Sequence, residues 1–330
     1  MFDQATLALI YAGLMALAVL LYAMLDGYDL GVGMMLPLYN QADSDTMIAS
    51  IGPFWDANET WLVLAIGVLL IAFPFAHSLI LKALYLPAAI MLIGLILRGV
   101  AFDFRAKAAF SHKPTWDKVF KAGSFIAAAS QGFMLGLYVM GFEYNLNTIS
   151  FALLSALGVC AAYCFIGSAW LVMKTEGELQ QRALRYCKRT LVICFAGIVV
   201  VSITNLLIDP NITERWFSMP YALVLLPIPL ICLALFIYAW QQLKVIDQSK
   251  NQARPFVAAC AIFTFTFVGL AVSFYPYVVP NQMTIYQSVA AAESLNFLLY
   301  GALFVIPTIL AYTLYSYRVF WGKVEDLRYY

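Results

Sequence analysis

Two short polar stretches interrupt the apolar sequence, and each carries a pair of carboxylates. Asp26 and Asp29 lie in LDGYDLGVGMM, and Asp56 and Glu59 follow Trp55 in GPFWDANETWLV. An ionised aspartate at the centre of a membrane-spanning helix costs roughly 2.5–3.5 kcal/mol even on a lenient insertion scale, so such a group needs a function or a partner. Carboxyl groups in this setting can bind and release protons in series. One hypothesis is therefore that the four acids form a proton-uptake path.

A simpler hypothesis explains only the second pair of acids. Asp56 and Glu59 are three residues apart, so they share one face of a helix, and acids in the first turn complement the positive end of the helix dipole. Trp55 and Trp61 would then be anchors at the membrane interface. The first pair of acids is left unexplained by this hypothesis. From the residues alone, both hypotheses stay open.

A third polar stretch, RGVAFDFR, contains Arg98, Asp103 and Arg105. Basic residues are common at the cytoplasmic end of a spanning helix, and we predict that these side chains form an ion pair that holds the following loop. The alternative is that Arg98 pairs with an acid of the Asp26 or Asp56 group and changes its affinity for protons.

Membrane helices must position these residues. Of the 330 residues, 63% are hydrophobic and 11% are charged, and the mean hydropathy is +0.84. Soluble globular domains have about 25% charged residues, so the composition excludes that class. Because about 20 apolar residues span a bilayer, we predict an all-α integral membrane protein with nine transmembrane helices in a single domain, residues 1–330. The apolar runs lie at residues 5–25, 52–76, 78–97, 122–142, 149–173, 190–208, 219–240, 256–280 and 296–317.

The distribution of basic residues predicts the orientation. Loops rich in Lys and Arg remain in the cytoplasm. With the N-terminus outside and the C-terminus cytoplasmic, all of the 19 basic residues except Lys82 and Arg215 fall on the cytoplasmic side, Lys250 and Arg328 among them. This orientation places the four acids toward the cytoplasmic side. Basic residues along one membrane face attract anionic headgroups, so we expect no nucleic-acid partner.

The sequence offers few ligands for a haem or another metal. Its two histidines, His77 and His112, fall at opposite ends of one predicted span and cannot ligate one iron together. The six cysteines lie in predicted spans or at their ends and are predicted to be packing residues without disulfides. Small residues four positions apart, Gly27 with Gly31 and Gly132 with Gly136, predict close approaches between helices.

The motifs together resemble a known family. LDGYDLGVGMM, GPFWDANETWL, RGVAFDFR and FYPYVVP, followed by a last helix with a basic tail, are similar in content and order to subunit II of the cytochrome bd-type quinol oxidases. The similarity covers nearly the whole chain. Its short connection between the sixth and seventh spans resembles the cyanide-insensitive branch of that family.

The resemblance implies a terminal respiratory complex of the bacterial cytoplasmic membrane. Such a complex oxidises ubiquinol, reduces dioxygen to water and generates a proton gradient. Haems b and d would lie on a partner, subunit I, and a structural quinone, lipid and a small accessory transmembrane subunit are further expected partners. The implied architecture is two four-helix bundles, residues 1–142 and 149–280, plus a peripheral helix at 296–317 with a cytoplasmic tail at 318–330.

The resemblance also implies roles for particular residues. Trp55 and Asp56 correspond to positions associated with a hydrophilic channel at the subunit boundary. Asp26 and Asp29 correspond to the aspartates of the DGYD-like motif, and Glu59 lies where other members can have Gln. The alternative from another class is a proton-coupled secondary transporter, which would also use intramembrane acids. A purely structural membrane subunit is a third possibility.

Overall fold

The computed structural model describes residues 2–208, 210–246 and 251–324, and the chain is almost entirely helical. The predictions for Lys250, Arg328 and the tail at 325–330 lie outside these residues. In chain order the elements are α1 Gln4–Met34, α2 Gln41–Ile51, α3 Trp55–Ala72, α4 Pro74–Lys107, a 3₁₀ turn Phe110–His112, α5 Lys113–Val139, α6 Leu146–Lys174, α7 Gly177–Ile208, α8 Pro210–Phe217, α9 Tyr221–Leu225, α10 Pro227–Lys244, α11 Arg254–Phe274, β1 Tyr277–Val279, β2 Met283–Thr284, α12 Ile285–Ser288 and α13 Ala292–Val319.

Nine helices are long and apolar enough to cross a membrane, counted over the residues the structure describes. They are α1, α3, α4, α5, α6, α7, the α9–α10 pair over Tyr221–Lys244, α11 and α13. The predicted fold class and number of spans are therefore confirmed. Most of these helices run beyond the apolar runs: α1 continues to Met34, so that Asp26 and Asp29 are inside the helix. Helix α2 was not predicted, because its sequence QADSDTMIASI has no apolar run.

Helix α1 is the central element of the bundle. It packs against α3, α5, α6 and α11, while α4–α5, α5–α6, α6–α7 and α10–α11 pack as consecutive neighbours. Helix α13 has the smallest buried share of the nine candidate spans. The chain after α13 returns to the end of α6, where the backbone N–H of Val324 donates to the Lys174 carbonyl at 2.8 Å. The division into two four-helix bundles stays a prediction, as does the direction of the chain across the membrane.

Glycines allow α1 and α6 to approach closely beside the acids. A Cβ on Gly167 would lie 2.8 Å from the Val32 backbone nitrogen and 2.9 Å from the Tyr28 carbonyl oxygen. A Cβ on Gly31 would overlap the Tyr163 carbonyl in return. Because these neighbours are backbone atoms, neither can move aside as a side chain would.

The second predicted glycine pair is also at a close contact. Cβ atoms on Gly132 and Gly136 of α5 would lie 2.6 Å from Ala156 Cα and 2.5 Å from Ala152 Cα of α6, respectively. The prediction that both glycine pairs mark close helix contacts is confirmed. Helix α6 is therefore held between α1 and α5 by small residues on both partners.

We expect Gly167→Ala to weaken the contact between α1 and α6, because the added methyl group meets only backbone. Overpacking of this kind costs about 1–3 kcal/mol. The matched control is Gly158→Ala on the same helix, where a Cβ has no neighbour within 4 Å. The melting temperatures of the two purified variants are compared with that of the unmodified protein. We expect Gly167→Ala to melt at a lower temperature and Gly158→Ala to melt at an unchanged one. Equal melting temperatures would show that the close contact is not needed.

Candidate functional site

A buried arginine connects three helices at the centre of the polar region. The guanidinium of Arg98, from α4, lies 2.5 Å from Asp26 Oδ1 on α1 and 3.4 Å from Glu59 Oε2 on α3. The side chains of Arg98 and Asp26 are 1% and 0% exposed, whereas that of Glu59 is 26% exposed. The ring of Trp55 lies 5.9 Å from the guanidinium carbon. We call Asp26, Asp29, Glu59 and Arg98 the acid cluster; its only partly open member is Glu59.

Asp29 is held by an amide side chain that sequence reasoning missed. Asn58 Nδ2, one turn into α3, donates to Asp29 Oδ2 at 2.8 Å and lies 3.0 Å from the Tyr28 hydroxyl. Both Asp29 and Asn58 are buried. Asn58 is the third residue of DANE in the second stretch, and its position between two acids was the available signal. Its partner could not be read from the sequence, because the contact joins different helices.

Tyrosines extend the cluster to the peripheral helix. The Tyr28 and Tyr317 hydroxyls are 2.8 Å apart, and Tyr317 also lies 3.4 Å from Asn58 Oδ1. Tyr28 is fixed in place by Trp170, whose ring stacks on it with centroids 4.4 Å apart. Helix α13 is thereby linked through its C-terminal end to the residues that hold Asp29.

A second polar branch leads from Asp26 toward the middle of the bundle. Tyr22 lies one turn before Asp26 on α1, and its hydroxyl accepts from Gln131 Nε2 at 2.8 Å. The Tyr163 hydroxyl donates to Gln131 Oε1 at 2.6 Å. This branch joins α1, α5 and α6. The signal in the sequence was a lone glutamine inside an otherwise apolar span.

The ion pair predicted within RGVAFDFR is wrong. Arg98 pairs with Asp26 and Glu59, as the alternative proposed. Arg105 pairs with Asp45 at 2.8 Å and with Asp117 at 2.5 Å. Asp103 is exposed and has no ion pair among the described residues. The physical reason is geometric: Arg98 and Arg105 are both buried and face other helices, whereas Asp103 lies on the outer face of α4.

Three of the four acids lie together, and the fourth does not. Asp26 and Glu59 bind Arg98, and Asp29 lies one turn after Asp26 on α1. Asp56 is exposed at the first turn of α3. Trp55 beside it is partly buried and packs on Phe102 with ring centroids 4.7 Å apart. Asp56 therefore lies on the outer surface of this chain rather than in its interior.

The electrostatics of the acid cluster favour bound protons. Asp26 and Glu59 share the guanidinium of Arg98, and Asp29 is buried close by without an ion pair among the described residues, so the cluster would carry a net negative charge with all three carboxyl groups ionised. Burying an unpaired charge is costly, and a proton removes that cost. Asp26 Oδ2, Asp29 Oδ1 and Arg98 Nε have no protein hydrogen-bond partner. Such atoms have unused capacity for hydrogen bonds to water, which a chain of proton transfers requires.

The two histidines of this chain lie too far apart to ligate one haem iron together. His77 lies in the first turn of α4 and His112 beyond its other end. At 1.5 Å per residue, the intervening helix separates them by about 45 Å. Among the described residues, no group of three or more His, Cys, Asp or Glu side chains is arranged to hold a metal ion.

Comparison with known proteins identifies the family. The model for cytochrome bd terminal oxidase subunit II matches residues 7–320. The chain belongs to this family. It is a multi-pass protein of the bacterial cytoplasmic membrane, as its nine apolar helices and its relatives indicate.

Relatives of the same family match over almost their whole length. Subunit 2 of the cytochrome bd-I ubiquinol oxidase of Escherichia coli (strain K12) is 25% identical, covering 99% of this chain and 98% of the relative. Subunit 2 of the cytochrome bd ubiquinol oxidase of Bacillus subtilis (strain 168) is 27% identical, covering 91% and 92%. A chain of the bd oxidase from Geobacillus thermodenitrificans has the same fold, with a TM-score of 0.74 at 18% identity over 94% of this chain and 98% of that one. The transporter alternative gains no support from these comparisons.

We expect Arg98→Met to destabilise the fold, because it leaves Asp26 buried without its cation. Removing one partner of a buried ion pair costs about 3–5 kcal/mol. The double variant Arg98→Met with Asp26→Asn should recover a large part of that loss, since the unpaired charge is gone. Arg189→Met, at an exposed arginine of α7, is the control. Thermal melting checks all three; an unaffected Arg98→Met variant, or a double variant no better than the single one, would contradict the ion pair.

Proposed function

We propose that this chain serves as subunit II of a quinol:dioxygen oxidoreductase of the cytochrome bd type. In this proposal the complex oxidises quinol, reduces dioxygen to water and contributes to a proton gradient. Haems b and d belong to subunit I. The assignment of the haems to subunit I is supported by the two histidines of this chain, which are too far apart to hold a haem between them.

The acid cluster is proposed to carry protons toward the partner. The single observation that supports this role is the contact of two carboxyl groups, those of Asp26 and Glu59, with one buried guanidinium. Asp29 is buried one turn after Asp26 on α1, and only Glu59 is partly open. Glu59 takes up a proton at the surface, and Arg98 keeps its carboxylate next to Asp26. Asp26 and Asp29, both sealed from solvent, then hold protons inside the bundle. Asn58 orients Asp29 by donating to one of its oxygens.

Asp56 and Trp55 extend the proposal to the surface of the chain. The exposed position of Asp56 suits a channel at a subunit boundary, which is the place the resemblance implies for it. Trp55 lies between Asp56 and Arg98, since its ring contacts the guanidinium. The orientation with the N-terminus outside puts this surface on the cytoplasmic side, where protons are taken up. Asp103 and Arg105 have no part in the proposed path.

Other implications of the resemblance remain predictions. They are the ubiquinol specificity, the structural quinone, the small accessory subunit, the cyanide-insensitive character and the two-bundle division. Each concerns a ligand or partner that lies beyond this chain, or a grouping of its helices.

We expect Glu59→Gln and Asp29→Asn to lower quinol oxidase turnover by about 100-fold, the typical scale for losing a proton-transferring group. Both changes conserve size and hydrogen-bonding capacity. Asp103→Asn, at an exposed acid of α4, is the control and should turn over like the unmodified complex. The measurement is oxygen consumption with a reduced quinone, on complex purified through this chain.

Two outcomes of this experiment separate the parts of the proposal. A preparation without a haem spectrum from a partner would contradict the assignment to the oxidase. Normal haem content with unchanged turnover in Glu59→Gln and Asp29→Asn would leave the assignment intact and refute the proton path. Asp56→Asn, measured alongside, tests whether the path opens at the outer face of α3: unchanged turnover would remove Asp56 from it.

A further inference from the structure

A groove separate from the acid cluster opens where α1 ends and α5 and α7 begin. It consists of two adjoining cavities of about 340 and 240 Å³, which share Leu38 and Lys121. The larger cavity lies against α5 and the smaller one between the segment after α1 and the start of α7. All three helices have these ends on the side predicted to be cytoplasmic.

The larger cavity has an apolar wall and a charged rim. Met34, Ala122 and Phe125 form the wall, and Phe125 is 50% exposed. Lys118 and Lys121 form the rim and lie within about two turns of Phe125 on the same helix, α5. An apolar surface of this kind is suited to an acyl chain, and lysines near helix ends extend their ammonium groups to the membrane interface.

The positive charge at the groove is only partly neutralised. Lys121 donates to the Leu36 carbonyl at 3.0 Å, and this neutral partner leaves its charge uncompensated. Lys118 is exposed. Arg182, in the smaller cavity, pairs with Asp43.

The other acids of this region are already engaged. Asp45 and Asp117 both bind Arg105, so they do not neutralise the lysines of the groove. The groove therefore presents a net positive charge beside an apolar wall. Tyr39 and Tyr186, both exposed, line its outer edge, as aromatic residues do at the headgroup level.

We propose that this groove binds an anionic phospholipid, with its phosphate at Lys118 and Lys121 and an acyl chain along Phe125 and Met34. Charge complementarity and the apolar wall both select this occupant. Basic pockets between spanning helices on the cytoplasmic side are suited to such headgroups. A zwitterionic lipid would present its own cation to the lysines and bind less tightly.

The test measures lipid binding to the delipidated complex that contains this chain. Phosphatidylglycerol and phosphatidylcholine are titrated separately, and bound lipid is counted by native mass spectrometry. Each basic residue near an anionic surface contributes about a fivefold factor in affinity. We expect Lys118→Gln to weaken phosphatidylglycerol binding about fivefold, and Lys118→Gln with Lys121→Gln to weaken it about 25-fold.

Two further variants make the outcome decisive. Lys107→Gln with Arg189→Gln removes two exposed basic residues of the same membrane side outside the groove and should leave binding unchanged. Lys121→Arg keeps the positive charge and should retain phosphatidylglycerol binding. This variant still tests the groove if the double variant Lys118→Gln with Lys121→Gln fails to assemble. The proposal is overturned if the control pair loses as much affinity as the groove pair. Equal affinity for the two lipids, or equally tight binding of inorganic phosphate alone, would overturn it too.

Discussion

The guanidinium of Arg98 is the interaction on which the rest of the polar interior depends. It is buried, and it faces two carboxylates from two other helices. A lone buried charge would be too costly to keep, so the contact fixes α1, α3 and α4 relative to one another. Apolar packing alone would allow these helices to slide or rotate, because lipid tails are as apolar as the helix faces.

The glycines of α1 and α6 make this arrangement possible. Gly31 and Gly167 let the two backbones meet beside the acids, which carries Asp26 and Asp29 into the interior. Their burial then sets the chemistry. The two carboxyl groups on Arg98 and the neighbouring Asp29 can bind protons without exposing a net charge to the apolar surroundings, and the partly open Glu59 connects them to the surface. The tyrosine contacts of Tyr28 and Tyr317 attach the least buried helix to the same place.

Much of this fold could be predicted from the sequence, because a bilayer imposes a strong pattern on it. Nine apolar runs predicted nine spans, and glycines four residues apart marked the close helix contacts. The acids stood out because they interrupt such runs. The partners of charged residues could not be predicted in the same way. The sequence left two partners open for Arg98, a local ion pair within RGVAFDFR and an acid of the Asp26 or Asp56 group, and only the packed bundle decides between them in favour of Asp26 and Glu59.

Other misses have the same cause. Asn58 lies between two acids and Gln131 lies inside an apolar span, and the importance of both lies in contacts across helices. Asp56 matched the other acids in type and spacing, but the rotation of α3 places it outside. The spacing of residues in the sequence shows which side chains share one face of a helix. It does not show which other helix that face contacts.

The central claim is that the buried acids bind and release protons during turnover. Infrared difference spectroscopy between the oxidised and reduced complex tests it most directly, because a protonated carboxyl group has a C=O band that shifts in heavy water. The account predicts such a band in the unmodified complex and its loss in Asp29→Asn. A spectrum without a carboxyl band, or one left unchanged by Asp29→Asn and Glu59→Gln alike, would contradict it.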